Sequence, residues 1–290
     1  MLSIKKPSLI LNTGICLENI RSMAAKARAS KVDFRPHFKT HQSAIIGEWF
    51  RKEGVTAITV SSVSMARYFA DHGWKDITIA FPVNLLEIDE INELAGKIQI
   101  NLLIESVETA LFLSKNLKSE CGIFIKIDTG YHRTGIGVSN IMKIDSVLQS
   151  AKSSFLSFKG FLTHSGNTYH AKNPDEITQI QRFTAENLVR LKKQFHNQYP
   201  DLILSVGDTP TCSQLMPAEG INEFRPGNFV FFDVMQFMLG SCTLDQIAVA
   251  LVCPVVAVHH NRLEAVIYGG AIHLSKEQIT LPPDFQAIYG

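Results

Sequence analysis

Eight short apolar runs, each three to seven residues long, recur along the first three quarters of the chain: Val32 to Phe34, Ala57 to Val60, Ile77 to Phe81, Ile98 to Ile104, Gly122 to Ile127, Phe158 to Thr163, Leu202 to Val206 and Asn222 to Phe224. Runs of this length without polar alternation read as strands buried on both faces, and helical periodicity fills the segments between them. A parallel strand needs a crossover before the next, and right-handed crossovers repeated eight times close naturally into a ring. The expected fold is therefore α/β, a (β/α)8 TIM barrel, with a doubly wound sheet as the competing arrangement.

The clearest helix opens at Asn173-Pro174-Asp175-Glu176, a cap followed by proline at the first helical position. It continues with Ile177, Ile180, Phe183, Leu188, Leu191 and Phe195 on one stripe. Further helices are expected over Ile15 to Ser30, Ser43 to Glu53, Ser64 to His72, Ser106 to Leu117 and Ser139 to Lys152. After Asn228 the texture changes. Phe229 to Asp233, Ile247 to Val258 and Leu263 to Tyr268 read as strands without intervening helices. The expected division is a barrel over residues 13–228 and a smaller β-rich domain over 229–290, incomplete at its carboxyl end and joined by residues 1–12 as an N-terminal strand.

Composition narrows the function classes. With 290 residues, 46% hydrophobic and 19% charged, the chain has the make-up of an ordinary soluble globular protein, and a cytoplasmic location is the simplest expectation. A formal net charge of +1, with no stripe of Lys and Arg, argues against nucleic acid as a partner. The longest apolar run, Ile247 to Val258, is broken by Pro254 and falls short of the ~18 residues of a membrane span. The five cysteines are scattered without a metal-knuckle or redox spacing, so reduced thiols are expected.

Polar chemistry is concentrated just past the carboxyl ends of the apolar runs, where barrel enzymes build their sites. Arg35 to His41 follows the first run, Asp128 to Gly135 the fifth, Thr163 to Tyr169 the sixth, Ser205 to Thr211 the seventh and Arg225 to Asn228 the eighth. Clusters in one phase converge on one mouth. Taken alone, Lys39 reads as a solvated lysine, His37 as a packed histidine and Arg133 as a surface arginine. The Gly-Asp and Pro-Gly pairs at Gly207-Asp208 and Pro226-Gly227 read as ordinary turns.

Four of these motifs resemble one family. Pro36-His37-Phe38-Lys39-Thr40-His41, the Asp-Thr-Gly-x-x-Arg-x-Gly run at Asp128 to Gly135, Gly207-Asp208-Thr209-Pro210-Thr211 and Arg225-Pro226-Gly227-Asn228 occur in the order found in the D-serine dehydratase and D-threonine aldolase family. That family is related to alanine racemase, with its fold-type III pyridoxal-phosphate barrel, and the similarity runs from about residue 7 to the end of the chain.

The resemblance implies a pyridoxal 5'-phosphate enzyme of D-amino acid metabolism in which Lys39 holds the cofactor as a Schiff base, and His37 and Arg133 join it as catalytic groups. A lysine crowded by His37, His41 and Arg133 should have a depressed pKa, as a Schiff-base amine requires. His164, Tyr169, Gly207, Asp208, Thr209, Arg225, Gly227 and Asn228 are implied cofactor-binding residues, with the phosphate in the loops after the seventh and eighth strands. Asp208 must point away from that dianion. Arg225 and Tyr169 compete for the pyridine nitrogen.

Three outcomes follow from removal of the α-proton or of Cβ: a dehydratase, an aldolase or a racemase. The resemblance also implies a homodimer and a divalent metal, zinc, held late in the β domain. The late His-x-Cys or His-x-Asp pair that would hold the metal is absent, and the adjacent His259 and His260 on one strand point to opposite faces and make a poor chelate. The metal residues stay unassigned. A non-catalytic pyridoxal-phosphate homeostasis protein shares the barrel and its lysine but lacks the β domain, and a barrel enzyme for phosphorylated sugars would need no cofactor.

Overall fold

The computed structural model describes residues 3–274, together with the backbone at 278–279 and 288–289. In chain order its elements begin with β1 (Ser8–Leu11), α1 (Thr13–Ser30), β2 (Asp33–Phe34), α2 (Ala44–Lys52), β3 (Ala57–Val60), α3 (Val63–Asp71), β4 (Asp76–Pro82), α4 (Ile88–Ala95), β5 (Gln99–Ile104), α5 (Val107–Asn116) and β6 (Cys121–Asp128). They continue with β7 (Ile136–Gly137), α6 (Ile141–Ser150), β8 (Leu156–Leu162), α7 (Pro174–Phe195), β9 (Ile203–Val206), α8 (Thr209–Gln214), β10 (Glu223–Phe224), α9 (Val234–Met238), β11 (Val249–Val252), β12 (Val255–His259) and β13 (Glu264–Ile267).

Parallel pairing runs β2-β10-β9-β8-β6-β5-β4-β3. The ends of that path meet where Phe38 N–H donates to the Thr59 carbonyl at 2.8 Å and Thr59 N–H donates to Pro36 at 2.9 Å. Those two bonds close an eight-stranded ring, so the barrel holds and the doubly wound sheet does not. Every expected strand up to Phe224 is present. So are the expected helices, with ends set by side-chain caps: Asn12, Ser43, Ser106 and Asn173 each accept an N–H from the first turn. Each such cap is worth about 1 kcal/mol.

Strand parity sorts the residues. On β6, Ile123, Ile125 and Ile127 pack outward against the helices, in the layer that also buries Phe50, Phe69, Trp74, Leu113 and Leu188. Phe124 points inward with Leu103 and Leu162 as a separate apolar plug. Below that plug the barrel interior is ionic. Arg35 donates from Nε to Glu223 and from both terminal nitrogens to Asp76, and Glu223 in turn accepts from Ser205. Burying charge this deeply is tolerable because every partner is hydrogen-bonded.

The region after Asn228 departs from expectation. Phe229 to Asp233 forms no strand: residues 228–230 make a 3₁₀ turn, Phe232 has φ +49°, and Asp233 caps α9 by accepting the Gln236 N–H at 2.8 Å. Phe229 and Val230 are consecutive and both buried, which a half-exposed strand cannot achieve, and Phe229 packs against Phe34 and Phe50. The run from Ile247 to Val258 divides at Cys253-Pro254 into β11 and β12, since proline offers no N–H to a ladder. β11 pairs antiparallel with the N-terminal β1, Ser8 opposite Val252 through Leu11 opposite Val249. β12 and β13 form a hairpin, and most of the expected β-rich segment beyond Leu274 lies outside the described residues.

Candidate active site

At the carboxyl end of the strands a cavity of about 660 Å³ opens to solvent. His37, Lys39, Arg133, His164, Tyr169, Gly207, Asp208, Arg225, Gly227 and Asn228 all border it, so nearly the whole sequence-derived set comes together. Thr209 is the exception. It is fully buried behind the cavity wall, where its hydroxyl accepts the Asn228 N–H at 3.1 Å and its own N–H donates to the Tyr169 hydroxyl at 3.2 Å.

Lys39 follows the short strand β2 and is exposed to the cavity. Partial burial, reinforced by the nearby Arg133 charge, holds its ammonium below the ordinary lysine range. Arg133 reaches the same space because Asp128, at the end of β6, accepts N–H groups from Gly130, Tyr131 and His132 on one oxygen, at 2.9, 3.1 and 3.0 Å. The resulting nest fixes residues 129–135, and Gly135 is required there: its φ is +115° and a Cβ would lie 2.7 Å from the Asp128 nitrogen. Arg133 lies over the Tyr131 ring, 5.1 Å from its centroid.

The two histidines have opposite tautomers, each set by the backbone. His37 accepts the Lys39 N–H on Nδ1 at 3.3 Å, which leaves its other nitrogen as a donor. His164 can only donate from Nδ1 to the Gly207 carbonyl, which leaves Nε2 as an acceptor. Both are neutral. Burial beside Lys39 and Arg225 holds His37 well below its usual range, and burial takes His164 to about 3. His41 does not reach the cavity and packs among Phe38, Phe50 and Phe69, where burial lowers it to about 4.

Asp208 resolves the expected conflict with a phosphate by turning inward. It caps α8 through the Thr211 N–H at 2.7 Å and accepts from Thr168 at 3.0 Å, and full burial raises its pKa to about 6. Gly207 and Gly227 sit where strand ends nearly touch, since a Cβ would come within 3.0 Å of Arg225 or 2.9 Å of the His37 carbonyl. No acceptor among the described residues takes the N–H groups of Gly207, Asp208 or Gly227. Arg225 is 4% exposed and held by Ser205 at 2.6 Å and by the Thr163 carbonyl; burial lowers its pKa to about 10.

Among the cavity residues outside the sequence-derived set are Tyr131 and Lys126. Tyr131 packs its ring against Gly166, where any side chain would collide with it. Lys126 is 5% exposed, and burial together with Arg225 and Arg133 depresses it to about 7. Its signal was available in the alternation of β6: Ile123, Ile125 and Ile127 claim the outer face, so Lys126 shares the inner face with Phe124.

Comparison with known proteins places these features in context. The family described as "Alanine racemase, N-terminal domain" matches residues 13–234. A D-serine dehydratase of Dictyostelium discoideum is 27% identical over 299 aligned residues, covering 95% of this chain and 75% of that protein. A D-threonine aldolase of Arthrobacter is 22% identical, covering 79% of this chain and 62% of its own. The solved D-threo-3-hydroxyaspartate dehydratase of Delftia sp. HT23 superposes with a TM-score of 0.88 at 24% identity, covering 95% of this chain and 74% of that one.

Proposed function

Because the chain belongs to the alanine racemase N-terminal domain family, we propose that it is a pyridoxal-phosphate-dependent lyase of D-3-hydroxy amino acids, a dehydratase or an aldolase, with Lys39 holding the cofactor. The observation that carries this reading is the pairing, in one cavity, of a lysine with a depressed pKa and, round the rim, glycine turns whose N–H groups have no acceptor among the described residues. The residues fit the group. An aldehyde needs a neutral amine, a phosphate dianion needs convergent N–H donors, and side chains at Gly207 or Gly227 would fill the space where the backbone must come close.

When bound, the cofactor withdraws electrons from the substrate's Cα, which weakens its bonds to hydrogen and to Cβ. Lys39 Nζ then holds the proton taken from Cα in a dehydratase. The Nε2–H of His37 donates to an oxygen in the cavity, and Nε2 of the neutral His164 accepts a hydrogen bond there. Tyr169 touches the N–H of Thr209 and so belongs with the phosphate turns, whereas the fixed guanidinium of Arg225 is the group for the pyridine nitrogen. Arg133 meets the substrate's α-carboxylate from the open rim. For a divalent metal, no group of three His, Cys, Asp or Glu stands together among the described residues, so they supply no ligand set.

A homodimer and a division into barrel and β-rich domain near residue 228 complete the reading. Support comes from the β12–β13 hairpin, where Val255, Val256, Val258 and Leu263 are each more than half exposed and would be covered by a second copy. Sedimentation at micromolar concentration is expected to give twice the chain mass of 32.3 kDa. No helix among the described residues is long and apolar enough to cross a membrane.

The electrostatic part of the proposal has a direct test. An amine is reactive above its pKa, and Arg133 pushes the pKa of Lys39 down, so removing that charge raises it. In Arg133→Gln the pH profile of cofactor capture by the apoprotein, followed by visible absorbance, is expected to move to higher pH, with Arg133→Lys restoring it. A profile that stays in place would show that Arg133 does not act on Lys39.

The lyase reading itself rests on turnover. Purified protein supplied with pyridoxal phosphate is expected to release a keto acid or an aldehyde from D-serine, D-threonine or D-3-hydroxyaspartate. Conversion only between enantiomers would make it a racemase instead.

A further inference from the structure

A buried serine joins the ionic interior of the barrel to the cavity above it. In the register of β9 and β10, Ser205 lies beside Glu223. Alternation along the chain then puts Glu223 and Arg225 on one inward face, while Phe224 between them packs on Phe34. β10 pairs with β2 on its other side, Phe224 opposite Phe34, which brings Arg35 alongside. Glu223 is 1% exposed and is held between Arg35 and Ser205.

The bonds have a fixed direction. The Nε–H of Arg225 can only donate, so the Ser205 oxygen accepts it at 2.6 Å, and the one hydroxyl proton of Ser205 goes on to Glu223 Oε1, also at 2.6 Å. The other Glu223 oxygen takes the Nε–H of Arg35 at 2.6 Å, and Arg35 directs both terminal nitrogens to Asp76. Two positive charges therefore face two negative ones, a balance that holds only while Glu223 is ionised. Asp208 is a further carboxylate near Arg225, but it turns to Thr168 and the Thr211 N–H, and Glu223 attracts the guanidinium more strongly. Arg225 Nη2 is taken by the Thr163 carbonyl. Nη1 has no acceptor among the described residues and is left for the cavity that Arg225 borders.

We infer that Glu223 is a positioning residue for the cofactor ring: through the Ser205 hydroxyl it is the counter-ion that holds Arg225 with its free nitrogen toward the pyridine nitrogen. The inference rests on the lyase reading, which places the cofactor in this cavity. Neither Ser205 nor Glu223 borders the cavity, so both act only through Arg225. A guanidinium has donors alone, so the ring atom it meets must accept.

The test compares pyridoxal 5'-phosphate with its 1-deaza analogue, in which a C–H replaces the pyridine nitrogen and leaves Arg225 without an acceptor. Apoprotein is titrated with each compound and capture is followed by absorbance. The wild type is expected to bind pyridoxal phosphate about tenfold tighter than the analogue or better, and Ser205→Ala and Glu223→Gln are each expected to cut that ratio to about threefold or less. Ser205→Thr retains the hydroxyl and is expected to retain the ratio. The double variant Ser205→Ala/Glu223→Gln is expected to do no more than Ser205→Ala alone, because both cut one relay. Ser205→Ala leaves the cluster of Arg35, Glu223 and Asp76 whole, and so decides the question even where Glu223→Gln does not fold.

General damage to the site would weaken both compounds together and leave the ratio in place. An unchanged ratio in either folded single variant, or equal binding of the two compounds by the wild type, overturns the inference while leaving the lyase reading intact. If the wild type captures neither compound, the lyase reading is what fails, and nitrogen-15 NMR of the ligand-free protein decides the relay. The Arg225 Nε–H, identified by its loss in Arg225→Lys, is expected to exchange with water about tenfold faster or more in Ser205→Ala than in the wild type, as loss of a buried charged hydrogen bond implies. Equal exchange rates overturn it.

Discussion

Lys39→Ala protein is expected to purify colourless where the wild type is yellow, and to turn over D-amino acids about 10³-fold more slowly or worse. Both effects have one cause, loss of the amine that holds the cofactor and carries the Cα proton. The experiment has a real rival to exclude, because Lys126 borders the same cavity and has a pKa near neutrality. Access separates the two: Lys39 is exposed to the cavity, while Lys126 is almost walled in. Borohydride reduction of the yellow protein followed by peptide mapping is expected to place the added mass on the peptide containing Lys39. A yellow Lys39→Ala protein, or mass found on Lys126, would refute the assignment. Lys39→Arg keeps the positive charge and so separates loss of the amine from loss of charge.

The largest effect on stability is expected at Gly160. β8 carries an irregular step opposite Ile123 and Phe124, and Gly160 takes it up with φ +148° while pairing with Ile203 of β9. A Cβ there would overlap the Ile203 carbonyl oxygen and lie 2.5 Å from its nitrogen, and backbone in a closed ring cannot move aside as a side chain could. Gly160→Ala is expected to cost about 3 kcal/mol or more, read as a lower urea midpoint by circular dichroism. Gly137→Ala serves as the control. Its Cβ meets nothing within 4 Å, so a change of no more than about 0.5 kcal/mol is expected. Similar midpoints for the two variants would show that β8 and β9 do not meet as described.

Much of the barrel was legible because its signals are local. Runs buried on both faces, Asn173 ahead of Pro174, and serines three residues ahead of the N–H groups they cap all act within a few residues. The polar clusters past the strand ends were legible for the same reason, since parallel strands in one phase send their carboxyl ends to one mouth. Lys126 does not belong to the loops after the strands, and its direction is set by parity within β6.

The run at Phe229 to Asp233 was misread because apolar content does not distinguish a strand from a turn whose neighbours are both buried. Only the packing of Phe229 on Phe34 and Phe50, with Asp233 free to cap α9, decides for the turn. Ring closure likewise rests on the bonds joining Pro36 and Phe38 to Thr59, partners more than twenty residues apart. The tautomers of His37 and His164, the inward turn of Asp208 and the burial of Lys126 depend on which atoms from distant strands end up near one another. The sequence by itself determined which segments become strands and helices and which end of the barrel bears the chemistry, because propensity, capping and alternation are properties of neighbours along the chain. The tertiary structure alone decided charge, tautomer and burial inside the cavity, because electrostatics acts through space.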